Sequence, residues 1–325
     1  MKKTLVALAA VAVTGGAFAQ ATMTGAIAFG YESDTATTGA LSSGMGMDDA
    51  EINFAIAEDI EGVGKLSAGL GFGSGGNSDA ATGNDSTIKL TTASGASITM
   101  GTTKGASYLT QGLASAGTAY QWNLSGRLFG SRTKNDSVSV KFPVMDGVSV
   151  SFAHAEDKNT SAADYWTGTG AAGSGTDQRY NTLSLDYAAG ALAINLGYRT
   201  YDNGIASSES SKNNRNRASA SYDLGVAKFG AGYESTSYMY GNSLTDTLVG
   251  VNVPLSSALN IGAQFGQSST SGGSTTTNST QSGSLLVANY NLSKRTYLVG
   301  NYYSYSVSGG SQNATGYGFF LYNTF

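Results

Sequence analysis

A period-two alternation of apolar and polar residues recurs along the chain and constrains its fold most. Each alternating segment is about ten residues long, so a strand tilted near 45° would span roughly 23 Å. The segments are joined alternately by very short turns and by longer loops rich in Gly, Ser and Asn, and about sixteen can be counted. An even number of strands with short turns at one rim is typical of transmembrane barrels. We therefore predict an all-β, sixteen-stranded antiparallel transmembrane β-barrel with short periplasmic turns and long extracellular loops.

The last alternating segment supports a closed barrel. Tyr317, Phe319, Leu321 and Phe325 share one face of a strand that would leave a flat, apolar edge in an open sheet. Such edges recruit other chains, and a barrel removes the edge by pairing its last strand with its first. We expect this pairing to involve residues 22–32.

The chain divides into an export signal and one domain. Residues 1–19 combine Lys2 and Lys3, an apolar run and an Ala-Phe-Ala cleavage site, which is typical of a signal peptide. Residues 20–325 contain no linker-like segment, and we expect one barrel domain. Without the signal, 16 Lys and Arg stand against 22 Asp and Glu, which argues against nucleic acid as a partner. The sequence has no cysteine and hence no disulfide to stabilise it.

The charged residues within the strands indicate which face of each strand lines the water-filled lumen. A Lys or Arg on the lipid face at the bilayer midplane costs about 2–4 kcal/mol. Lys89, Lys141 and Arg199 all fall opposite their apolar neighbours, as do Glu51 and Asp186. The lumen is therefore expected to be polar, and the aromatic residues near the strand ends, Tyr297 among them, to form two belts at the membrane interfaces. A soluble sandwich would show the same alternation, so this pattern alone does not separate the two.

Three stretches resemble the general porins of β-proteobacterial outer membranes. The turn Glu58-Asp-Ile-Glu-Gly-Val-Gly-Lys-Leu66 is similar to an early turn of that family. The stretch Arg132-Thr-Lys-Asn-Asp-Ser-Val138, followed by Phe142-Pro143, resembles the end of the family's third loop. The match of Tyr290-Asn-Leu-Ser-Lys-Arg-Thr296 to a Tyr-x-Leu-Ser-Lys-Arg-Thr turn is the most specific.

The resemblance implies a trimeric, water-filled outer-membrane channel for passive diffusion of small hydrophilic solutes and ions. It also implies that the third loop folds inward and narrows the lumen. One departure concerns the strand before that loop, where the family usually has Gly-Arg-Gln and this chain has Gly101-Thr102-Thr103-Lys104. One pore arginine expected from the family is therefore missing.

The composition of the third loop predicts an anion preference that runs against the net charge. Residues 105–135 contain no Asp or Glu but include Arg127, Arg132 and Lys134. Lys89, Lys141 and Arg199 are expected to add positive charge on the wall. Because interactions beyond about 10 Å are screened at 0.1 M salt, charges at the constriction should outweigh acids in distant loops. The alternative is that these side chains pair with lumen acids such as Glu51 or Asp186 and only anchor the loop.

The partners expected of such a chain are those of the outer membrane. Phe325, with Leu321 and Phe319 on the same strand face, resembles the signal that the barrel-assembly machinery reads. The expected partners are this machinery, outer-membrane lipid and lipopolysaccharide, two further copies of the chain, and small solutes and ions. We expect no cofactor and no metal site.

Two other functions remain compatible with the residues. One is an outer-membrane barrel enzyme, for which His154 is the single histidine available as a general base. The other is a surface-exposed, β-rich binding or adhesion protein. Substitution of His154 would distinguish the enzyme from a channel, and conductance in detergent-reconstituted membranes would distinguish the channel from a binding protein.

Overall fold

The chain folds into a closed antiparallel barrel of sixteen strands, in which every strand pairs with its neighbours in the sequence and the last pairs with the first. The computed structural model describes residues 20–36, 38–73, 82–103, 109–116, 124, 128–129, 134–157, 178–202, 212–272, 278–306 and 313–325. The predicted fold class is confirmed. The signal segment, residues 1–19, lies outside the described residues.

The strands are numbered in chain order. The first eight are β1 Gln20–Thr35, β2 Leu41–Ile60, β3 Gly64–Gly73, β4 Thr82–Thr92, β5 Ser97–Thr103, β6 Asn135–Met145, β7 Val148–Asp157 and β8 Gln178–Ala189. The second eight are β9 Leu192–Asp202, β10 Lys212–Asp223, β11 Lys228–Tyr238, β12 Ser243–Pro254, β13 Leu259–Ser271, β14 Ser279–Asn291, β15 Thr296–Tyr305 and β16 Ala314–Thr324. Two 3₁₀ turns, Leu109–Gln111 and Leu113–Ser115, belong to the third loop. None of the helical segments in the described ranges has the length and hydropathy needed to cross a membrane.

The seam between β1 and β16 extends from the pair Ala26 and Thr324 to the pair Thr35 and Thr315. Phe325 continues it, because its N–H donates to the Gly25 carbonyl and the Gly25 N–H donates to the Phe325 carbonyl, both at 3.0 Å. The ring of Phe325 lies over Gly25, where an added Cβ would stand 2.4 Å from the ring. The expected first-to-last pairing is thus present and involves the last aromatic residue.

The outer face carries large exposed apolar side chains on most strands, as the alternation predicts. Examples are Phe29, Phe152 and Phe265. The prediction that Tyr297 belongs to the aromatic belts is wrong, because this side chain is only 5% exposed and points into the lumen. It stacks on Tyr322, with ring centroids 5.2 Å apart and planes at 9°. In β15 it is Tyr302 that faces outward, half exposed.

The physical reason for this correction is an apolar cluster inside the barrel. Side chains from the lumen faces of β14, β15 and β16 pack together with residues of the third loop. The buried members are Ala28, Leu109, Ala114, Leu124, Leu128, Phe129, Leu248, Leu285, Val287, Tyr297, Val299, Tyr303, Phe320 and Tyr322. Full burial of one large apolar side chain stabilises by about 1.5–3 kcal/mol. This part of the lumen is therefore packed rather than open.

Hydroxyl groups of this cluster also fasten the seam from inside. Tyr303 donates its hydroxyl proton to the Asp34 carboxylate, and Tyr322 donates to the Asp48 carboxylate. Both acids lie on the first hairpin, β1 and β2, whereas both tyrosines lie on β15 and β16. The contacts therefore connect the two ends of the chain across the closure.

The third loop leaves the wall after Thr103 and returns at Asn135, and its described part lies inside the barrel. Its second 3₁₀ turn packs against β9 to β12. The turn is closed by bonds from the N–H and the side-chain Oγ of Ser115 to the Gly112 carbonyl, at 3.2 and 2.8 Å. The prediction of an inward-folded third loop is confirmed.

Candidate functional site

A cavity of 780 Å³ lies in the lumen between the third loop and the wall from β5 to β11. Hydroxyl groups of Ser and Thr line much of it. The described residues that line it with charge are Asp186, Arg199, Arg215, Arg217 and Lys228. Of these only Asp186 is acidic, so the cavity is bordered by four cationic side chains and one carboxylate.

Charged residues on β9, β10 and β11 form the basic side of the cavity. Arg199 and Arg215 face each other across β9 and β10, and Arg217 follows two residues later. The carboxylate of Glu234 on β11 accepts from Arg215 Nη1 at 3.3 Å and from Arg217 Nε at 2.6 Å. Arg215, Arg217 and Glu234 are each about nine-tenths buried. The shared carboxylate holds the two guanidinium groups close together, because its negative charge offsets the repulsion between their like charges.

Arg199 occupies the edge of this group with its guanidinium over an aromatic ring. The guanidinium carbon lies 3.9 Å from the centre of the Tyr180 ring, and Nε donates to Thr182 Oγ1 at 2.9 Å. A cation over an aromatic face gains about 0.5–2 kcal/mol depending on its desolvation. Tyr180 and Thr182 thereby keep this positive charge at the cavity wall.

Lys141 and Asp186, both predicted lumen residues, form an ion pair of 3.0 Å between Nζ and Oδ2. Asp186 also accepts from the amide of Asn195 at 2.6 Å. The Lys141 and Asp186 side chains are 49% and 38% exposed. Exposed pairs of this kind contribute about 0.2–1 kcal/mol. At this position the structure agrees with the alternative prediction, in which a basic lumen residue pairs with a lumen acid.

The other predicted site residues are dispersed. Lys89 lies on the lumen face of β4, between Ile88 and Leu90, and opposite Ser67 and Thr99. Lys134 donates to the carbonyl of Gly83. Arg127 and Arg132 lie outside the described residues.

Glu51 is part of a different, acidic stretch of wall on the first hairpin. Its carboxylate accepts from the amides of Asn53 and Asn84, each at 3.2 Å. Glu32, Asp34 and Asp48 line a second cavity of 300 Å³ nearer the loop end of the same hairpin. Acids therefore gather on β1 and β2, whereas the arginines gather on β9 and β10. In a narrow lumen with low-dielectric walls, this separation produces a field across the channel.

His154 lies away from the lumen cavity. Its Nδ1 is 2.9 Å from Asn181 Oδ1, and its Nε2 is 3.8 Å from Glu156 Oε1. It shares its strand face with the outward-facing Phe152. Among the residues that the structure describes, no cluster of three His, Cys, Asp or Glu side chains could hold a metal ion.

Arg215 and Arg217 are candidate site residues that the sequence analysis did not predict. The segment Lys212 to Arg217 has no apolar residue on either face, so the apolar alternation marks this strand only from Ala218 onward. The signal that could have revealed them is their spacing: Arg215 and Arg217 extend the alternation of Ser219 and Ser221 toward the N-terminus. Polar residues on both faces mark the part of a strand that extends beyond the apolar band.

Comparison with solved structures finds porins that share the fold. The anion-selective porin from Comamonas acidovorans matches with a TM-score of 0.69 and 19% identity, over 94% of this chain and 100% of that chain. The Vibrio cholerae outer-membrane protein OmpT, folded in vitro and in trimer form, matches with a TM-score of 0.67 and 11% identity, over 95% and 100%. A mutant of the Rhodopseudomonas blastica porin matches with a TM-score of 0.61 and 12% identity, over 94% of this chain and 100% of that chain. At these identities the likeness establishes the fold alone.

The sequence itself gives the family. No curated protein sequence matches the chain. The family model described as Gram-negative porin, however, matches residues 4–310, which is nearly the whole chain. Together with the sixteen-stranded barrel and the inward third loop, this match places the protein in the outer membrane as a channel. The chain belongs to the Gram-negative porin family.

Proposed function

We propose that this porin is a passive diffusion channel for small hydrophilic solutes and ions, that it prefers anions, and that it is not an enzyme. The observation that carries the anion preference is the lumen cavity, where Arg199, Arg215, Arg217 and Lys228 outnumber the carboxylates of Asp186 and of Glu234, which pairs with two of the arginines. A few fixed charges at the narrowest part of a pore dominate its field, because more distant charges are screened.

Two further facts support this sign of selectivity. The third loop between residues 105 and 135 has no acidic residue, whereas Arg127, Arg132 and Lys134 add positive charge to it. The porin of Comamonas acidovorans, which is similar in fold, is described as anion-selective. The acids on the first hairpin favour cations on their side, and Lys141 is already paired with Asp186, so the expected preference is moderate.

Reversal potentials of the purified channel under a salt gradient test the proposal. We expect the wild type to favour chloride over potassium. The variant with both Arg127 and Arg132 replaced by Ala should lower the chloride-to-potassium permeability ratio by roughly twofold, since two loop charges are removed. A cation-selective wild type, or an unmoved reversal potential in the double variant, would contradict the assignment of these loop arginines.

We further propose a homotrimer. The family resemblance implies it, and the Vibrio cholerae protein of similar fold has been obtained in a trimer form. In mild detergent the unheated protein should migrate as a trimer and convert to a monomer on heating. Migration as a monomer before heating would count against this proposal.

Assembly and membrane contact complete the proposed function. The exposed apolar faces of the strands would contact lipid and lipopolysaccharide, and the face formed by Phe319, Leu321 and Phe325 would be read by the barrel-assembly machinery. No catalytic role is proposed for His154, because it shares the outward strand face of Phe152 and contacts an amide and a carboxylate there.

A further inference from the structure

The wall beneath the third loop lacks side chains at four lumen-facing positions. Gly230 and Gly232 lie on β11, Gly250 on β12 and Gly266 on β13. Gly230 and Gly250 are direct partners in the sheet. Gly232 and Gly266 are each paired with Leu248, on opposite sides of it. The four glycines are therefore contiguous across three strands, and we call them the glycine seat.

The loop backbone lies on this seat at distances that no side chain would permit. A Cβ at Gly230 would stand 2.3 Å from the carbonyl oxygen of Leu113. At Gly250 it would stand 2.7 Å from the carbonyl oxygen of Ser115. These neighbours are backbone atoms, which cannot rotate away as a flexible side chain can. Alanine at either position would therefore require the loop itself to move.

The remaining two glycines meet loop side chains. A Cβ at Gly232 would lie 2.5 Å from the Cβ of Ala114 and 2.6 Å from a terminal methyl of Leu109. At Gly266 a Cβ would lie 2.6 Å from the ring of Phe129. The loop residues in these contacts are buried, and Ala114 is fully so.

Backbone conformation gives no other reason for glycine at these positions. None of the four has a φ angle in the left-handed region. Glycine within a strand is destabilising relative to alanine. Close approach of another chain segment is the remaining structural use of a strand glycine. Loop backbone approaches Gly230 and Gly250 in this way, and loop side chains approach Gly232 and Gly266.

We propose that the glycine seat positions the third loop and thereby sets the bore of the channel. The four glycines are positioning residues, since they act through the loop. With the loop flush against β11 to β13, the cavity on its other side stays open toward β5 to β10. A loop raised from the seat would move into that open space and narrow the path.

A size swap across the seat tests this proposal. In Gly232→Ala the new Cβ must move about 1 Å from its neighbour to reach van der Waals distance, and we expect single-channel conductance to fall by roughly a third. Adding Ala114→Gly removes the opposing Cβ, and the Leu109 methyl can rotate aside. The double variant should therefore recover wild-type conductance. Gly197→Ala is the matched control, because its Cβ would meet nothing nearer than 3.8 Å.

Heat-dependent electrophoretic mobility of each variant would establish that the barrel is folded. A second variant, Gly250→Ala, meets only loop backbone and should also lower conductance, but Ala114→Gly should not restore it. The proposal is overturned if Gly232→Ala and Gly250→Ala conduct like Gly197→Ala. It is also overturned if Ala114→Gly fails to restore the conductance of Gly232→Ala, since a general weakening of the wall would not be repaired by a smaller loop residue.

Discussion

Replacing Glu234 with Gln is expected to make the channel more anion-selective. The Glu234 carboxylate accepts hydrogen bonds from Arg215 and Arg217 at the wall of the lumen cavity. Of the nearby acids on β11 and β12, it is the one that holds both arginines. Its removal uncovers positive charge at the proposed constriction, where screening over about 10 Å leaves local charges dominant. The chloride-to-potassium permeability ratio should rise by roughly twofold.

Two matched variants separate this charge effect from damage to the fold. Glu234→Asp keeps the negative charge and should retain nearly the wild-type ratio. Glu58→Gln makes the same change in net charge at an exposed position near the short-turn end of β2, away from the arginines, and should leave the ratio unmoved. Breaking a buried ion pair costs about 3–5 kcal/mol, so a lower unfolding temperature is also expected for Glu234→Gln. A ratio that shifts equally in Glu58→Gln would refute a role for Glu234 at the constriction.

Deleting Phe325 is expected to reduce the amount of folded porin in the outer membrane several-fold. The backbone of Phe325 exchanges two hydrogen bonds with Gly25, and its ring covers Gly25 at the seam. Each such bond contributes about 0.5–1.5 kcal/mol, and a loss of one or two kcal/mol changes cellular abundance several-fold. The proposed recognition of this strand by the assembly machinery would add to the effect.

Comparison of membrane fractions with purified channels distinguishes assembly from permeation. Channels that do assemble without Phe325 should show wild-type single-channel conductance, because the ring lies outside the lumen. Phe265→Ala removes an equally outward-facing aromatic from β13, far from the seam in sequence, and serves as the control. Normal abundance combined with altered conductance would show that Phe325 acts on permeation instead.

The strand pattern predicted the barrel and its closure because lipid imposes a strict apolar face on each strand. Phe29, Phe152 and Phe265 therefore follow the expected parity. β15 did not, since Tyr297, Val299 and Tyr303 are apolar on the lumen side and Leu298 and Tyr302 are apolar on the other. The lumen side of β15 packs in one cluster with Leu128 and Phe129 of the third loop. A contact so distant in sequence leaves no local signal.

The candidate site was only partly predictable for a related reason. The position of Arg199 on the wet face follows from parity alone. The pairing of Lys141 with Asp186 depends on the stagger of β6 to β8, and the sharing of Glu234 by two arginines depends on the register of β10 and β11. Stagger is a property of the closed barrel, because strand number and tilt together determine it. The sequence supplies the charged residues, and closure decides which of them meet.

The proposed function requires the barrel to be an open, water-filled channel with an anion-preferring constriction. Single-channel recording of the purified wild type in a planar lipid bilayer tests it most directly. We expect discrete steps whose conductance rises in proportion to the conductivity of the salt solution, together with a reversal potential displaced toward that of chloride under a gradient. A folded, membrane-inserted protein that passes no current, or a reversal potential displaced toward that of potassium, would contradict the account.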